Sequence, residues 1–88
     1  MDVIEQLITR PLSDIERVRF YKRDDITTDL ICCEVKLHAE VWTFHEDLAG
    51  WQALVEHLAA LPGFRRDWFA AVSQPPFARS ETLAFQRA

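Results

Sequence analysis

Glycine is nearly absent: Gly50 and Gly63 are the two in 88 residues. A loop that cradles phosphate with its backbone needs several glycines close together, so nucleotide-binding loops of that kind are excluded. Two glycines and four prolines also exclude a linker or a low-complexity tail. Cysteine is almost as scarce, and Cys32 and Cys33 are adjacent. Neighbours on a strand point to opposite faces and cannot bridge without a strained peptide, which points to free thiols in a reducing compartment. No apolar run approaches the roughly 18 residues of a membrane span. The start Met1-Asp2-Val3-Ile4-Glu5 lacks the basic head and apolar centre of a signal peptide, and a cytoplasmic location is expected. Basic residues are also the minority, 10 against 14 acidic, for a net charge of −4. Neither nucleic acid nor an anionic membrane is an expected partner.

What is present is a core. Hydrophobic residues make up 49% of the chain, with three Trp and six Phe, a content that excludes disorder. At this length a single domain over residues 1–88 is expected, burying roughly 60 to 65% of the unfolded chain's surface.

The strongest periodicity runs from Leu48 to Leu61. Leu48, Trp51, Leu54, Val55, Leu58 and Leu61 recur at steps of three and four, predicting an amphipathic helix with Asp47 as its N-cap and Leu61-Pro62-Gly63 as its stop. Val3, Ile4, Leu7 and Ile8 predict a short helix from Asp2 to Thr9, ended by Pro11. Alternation predicts strands at 16–23, 28–37 and 41–45, with a reversal at His38-Ala39-Glu40. A second helical segment spans about 65–73 and stops before Pro75-Pro76, and a last strand covers 80–87.

The order α-β-β-β-α-α-β implies an α+β domain: an antiparallel sheet of about four strands with helices packed on one face. The helix-bearing face takes Val18, Phe20, Ile31, Cys33, Val35, Leu37, Trp42, Phe44, Leu83 and Phe85. The second face takes Arg17, Arg19, Tyr21, Leu30, Cys32, Glu34, Lys36, Val41, Thr43, His45, Thr82, Ala84 and Gln86. Either the amino-terminal helix crosses part of that second face and the rest is solvated, or the face meets a second copy or another protein. Exposed Tyr21, Leu30, Cys32 and Val41 together would exceed an ordinary scatter of surface apolar groups.

Chemistry-bearing clusters are few. His45-Glu46-Asp47 has metal or acid-base character, but no second histidine is spaced to join it, and no metal or other cofactor is expected. Cys32 and His45 have the types of a thiolate and its base, without a third orienting group. Arg17, Arg19, Lys22, Arg23 and Arg65-Arg66 form basic spots beside Asp24, Asp25 and Asp67, which reads as a solvated face. Trp68-Phe69 and Pro75-Pro76-Phe77 form an aromatic and proline corner, read as a core plug or as a groove for a small apolar ligand.

The run from Leu61 to Phe77, LPGFRRDWFAAVSQPPF, closing on Thr82-Leu83-Ala84-Phe85, resembles the carboxy-terminal half of small bacterial proteins with no assigned activity. The resemblance covers about a third of the chain. It implies a bacterial cytoplasmic origin and carries no site residue with it.

The residues thus point to a non-enzymatic module that forms a homodimer or binds another protein. Its expected interaction face holds Arg19, Tyr21, Leu30, Cys32, Val41 and His45, together with the amino-terminal helix. The alternative is a small-ligand binder or minor enzyme with a pocket between helix and sheet, using Cys32, His45 and Arg19.

Overall fold

The computed structural model describes residues 2–24, 29–73 and 80–87. The expected Pro75-Pro76-Phe77 corner and the chain break at Asp25 lie outside these residues. Elements follow the expected order: α1 (Val3–Ile8), a 3-10 turn (Leu12–Asp14), β1 (Ile15–Asp24), β2 (Asp29–Leu37), β3 (Glu40–His45), α2 (Trp51–Ala59), α3 (Trp68–Val72) and β4 (Ser80–Gln86). Among the described residues the sheet has four strands in the order β3-β2-β1-β4, every pair antiparallel. The fold is therefore the expected α+β layer pair.

Alternation explains the first three strands. Val18, Phe20, Ile31, Cys33, Val35, Leu37 and Phe44 are buried on the helix-bearing face, with Trp42 packed against them. Phe20 sits at the centre of this layer. Its ring stacks on Trp68 with centroids 3.8 Å apart and planes 12° apart, while Trp51 and Phe64 meet it edge-on at 6.2 and 6.3 Å. The edge-on contacts suit the ring quadrupoles, and all three add to the area buried.

In β4 the expected faces are wrong from Ala84 inward. Val18 pairs with Phe85 but Arg19 pairs with Leu83, so one extra residue, Ala84, is accommodated as a bulge. The insertion turns Thr82 and Ala84 into the core, where both are buried, and leaves Leu83 on the opposite face at 48% exposure. The bulged Ala84 carbonyl accepts the Arg65 N–H at 2.8 Å, so the segment after α2 satisfies a group the bulge takes out of the ladder.

The helices also differ from expectation at their starts and in their placement. α2 begins at Trp51, a turn later than predicted, and its N-cap is Gly50 rather than Asp47. Gly50 has φ +88°, and a Cβ there would lie 3.3 Å from Cγ2 of Ile4. Glycine thus serves the left-handed turn and the close approach of α1 at once. α1 is capped by Asp2, whose carboxylate accepts the Glu5 N–H at 2.8 Å. It buries Ile4 and Leu7 in the same core as α2, so it does not cross the second sheet face.

At the other end of the core, Lys22 and Ser80 are cross-strand partners. The buried Lys22 ammonium donates to Ser73 O at 2.9 Å and the Ser80 hydroxyl donates to Val72 O. Two strand side chains thereby satisfy carbonyls that the end of α3 leaves free. Arg87 closes the opposite end by donating to Ile15 O at 2.9 Å and Leu12 O at 3.1 Å.

Candidate interaction face

With α1, α2 and α3 on one side, the other side of the sheet is the place where side chains meet solvent in register. Strand pairing arranges them in cross-strand rows. Gln86, Arg17, Lys36 and Val41 form the first row. Leu83, Arg19, Glu34 and Thr43 form the second, Glu81, Tyr21, Cys32 and His45 the third, and Arg23 faces Leu30 beyond it.

Arg19 organises the middle. Its guanidinium donates to Glu34 at 2.7 Å, reaches Glu81 at 2.9 Å and lies 4.8 Å from the Tyr21 ring centroid. Glu34 also receives Arg17 at 3.4 Å. The hydrogen bond it donates to Glu34 is the main reason the Arg19 guanidinium holds its proton more tightly than usual. Arg17, Arg19, Glu34, Glu81, Leu83 and Gln86 line a shallow, solvent-open groove of about 390 Å³. Two cations and two anions face one another there, so its central charges cancel.

The six residues expected on this face all lie on it, and they are not equivalent. Tyr21, Cys32 and His45 share one row, Arg19 lies in the next, Leu30 beyond, and Val41 at the far end. Val41 is 56% exposed, Arg19, Tyr21, Leu30 and His45 are half-buried, and Cys32 is only 3% exposed. Cys32 therefore offers little surface of its own. Its sulfur is felt by Tyr21, whose hydroxyl titrates above its ordinary value through burial first and the neighbouring Cys32 second. Burial pushes the thiol of Cys33, on the opposite face, well above the usual range, so it stays protonated.

The groups expected to line a pocket between helix and sheet cannot do so. Arg19, Cys32 and His45 occupy the helix-free side, because strand parity sends them away from α2. The His45-Glu46-Asp47 run is also divided. Glu46 extends the ladder, its N–H donating to Ile31 O at 3.0 Å and its carboxylate accepting the Ile31 N–H at 3.1 Å. Asp47 is exposed ahead of α2. His38 lies in the β2–β3 turn, 3.5 Å from Asp14, and His57 lies on α2, where burial lowers its proton affinity.

Sequence reasoning missed Glu81 and Leu83 as members of this face. A bulge displaced both, and β4 contains no glycine to mark it.

Comparison of the chain with protein-family models, curated proteins and solved structures gave no match. No helix among the described residues is long and apolar enough to cross a membrane.

Proposed function

We propose that the chain is a non-enzymatic self-association module of the cytoplasm, and that it meets a second copy through the helix-free side of its sheet. The observation that supports this reading most is the charge-balanced centre of that side. Arg17, Arg19, Glu34 and Glu81 are paired within the chain at 2.7 to 3.4 Å. Covering them strands no ion, whereas an unpaired charge resists burial strongly. Around them lie Val41, Leu83, Leu30 and Tyr21, apolar surface of the kind interfaces use at their centres. The buried, unbridged Cys32 and Cys33 agree with a reducing compartment.

Backbone and methyl NMR spectra over a dilution series test the reading. Concentration-dependent shifts at Tyr21, Leu30, Val41 and His45, with the outer surfaces of α2 and α3 unmoved, are expected. Shifts confined to the helices would contradict it, as would spectra that ignore concentration.

A further inference from the structure

We infer that the second copy docks along the free edge of β3, continuing the sheet antiparallel across a two-fold axis at Thr43. The inference rests on self-association itself and moves the contact from the helix-free side to the strand edge that borders it; such a contact leaves Arg19, Glu34 and Glu81 uncovered.

β3 is an edge strand, and hydrogen bonding at its end reveals which of its groups are free. The Glu46 N–H donates to Ile31 O, which puts Glu46 and Ile31 at a hydrogen-bonded position of the ladder, with the Ile31 N–H returned to the Glu46 carboxylate. Such pairs alternate along an antiparallel ladder, so Phe44, Trp42 and Glu40 bond inward to Cys33, Val35 and Leu37. The two-residue turn closing on Leu37 and Glu40 agrees. The N–H and C=O groups of Val41, Thr43 and His45 consequently point out of the sheet. His45 O accepts the Leu48 N–H at 3.0 Å, and among the described residues no other backbone bond from outside the sheet reaches these three.

Proteins normally blunt such an edge with proline, charge or a bulge. The opposite edge is blunted, since β4 carries the Ala84 bulge and Ala84 O is taken by Arg65. The segment Val41-Trp42-Thr43-Phe44 has no charge and no proline, and it is composed of residues that suit strands.

The strand complements itself. Outward groups occur at 41, 43 and 45, so antiparallel pairing of two copies sets Thr43 opposite the partner's Thr43 and Val41 opposite the partner's His45. The Thr43 pair exchanges both of its N–H···O=C bonds, while in each Val41–His45 pair the His45 carbonyl is shared with the Leu48 N–H. On the helix side the same register sets Trp42 opposite the partner's Phe44, an aromatic cross-strand pair. Between Val41 and His45 no like charges meet, while the same register sets Glu40 opposite the partner's Glu46 at each end. Each of these carboxylates is already held within its own chain, by Arg10 at 3.1 Å and by the Ile31 N–H at 3.1 Å. A two-fold contact of this kind closes on itself as a dimer.

Three variants at the exposed Thr43 test the arrangement by light scattering, with circular dichroism confirming that each folds. Thr43→Lys sets two ammonium groups across the axis and should weaken dimerisation by about tenfold or more. Thr43→Pro removes an outward N–H, which an edge strand tolerates in the monomer, and should abolish the dimer. Thr43→Cys should give a covalent dimer on mild oxidation, while Leu83→Cys, on the far strand, should not. A wild-type dimer that persists in Thr43→Lys, with Leu83→Cys cross-linking in place of Thr43→Cys, would overturn the edge and leave self-association standing. A wild-type monomer at every concentration would remove both.

Discussion

Arg19 and Glu34 are cross-strand partners on β1 and β2, and their guanidinium and carboxylate approach to 2.7 Å in the middle of the uncovered sheet side. Arg17 reaches the same carboxylate and Glu81 the same guanidinium, so the pair is the hub of a short chain of charges.

Removing the hub charge should leave two guanidiniums with weaker partners. Glu34→Gln is expected to lower stability by about 1 kcal/mol, the upper end for partly exposed pairs. Urea unfolding measures it, and the difference should shrink as salt is added.

Phe20 is the residue on which the core depends most. It is fully buried between Trp68, Trp51 and Phe64. Phe20→Ala should cost about 3–5 kcal/mol, a large part of the ~5–15 kcal/mol typical of a domain. Phe20→Leu, which keeps most of the volume, should cost less. Denaturant midpoints followed by tryptophan fluorescence give both values.

The two glycines should respond differently to alanine. Gly50 and Gly63 both have positive φ, +88° and +73°, which costs any L-residue about 1–2 kcal/mol. Only at Gly50 does the new Cβ also crowd a neighbour, Ile4, whereas nothing lies within 4 Å at Gly63. Gly50→Ala should therefore lower the melting temperature more than Gly63→Ala.

Tyr21 is the one tyrosine in the chain, so phenolate absorbance reports on it alone. Burial, then Cys32, raises its titration above the ordinary value near 10. The folded chain binds this proton more tightly than the unfolded chain. The resulting stability is complete below pH 10 and is lost as pH rises through the folded value. Cys32→Ala should move the titration back toward the ordinary value.

Period-two and period-3.6 patterns make most of this fold legible in the sequence, because β1, β2 and β3 each bury one face and because Leu54 and Leu58 mark the buried stripe of α2. Three features were hidden for physical reasons. The Ala84 bulge depends on a tertiary partner, the Arg65 N–H, that leaves no local mark. The late start of α2 depends on the left-handed Gly50, while Leu48, which looks helical by spacing, packs from the preceding turn. The side chosen by α1 depends on Ile4 fitting against Gly50, and its apolar stripe would have suited either sheet face. Of the candidate site, the members on β1, β2 and β3 were legible from strand parity. Their burial was not, so Cys32 could be placed on a face without revealing that its neighbours cover it.

Light scattering of the wild-type chain over a concentration series tests the central claim most directly. The account predicts a molar mass that rises from that of one 10.3 kDa chain toward twice that value. A mass that stays at 10.3 kDa at every concentration would contradict it.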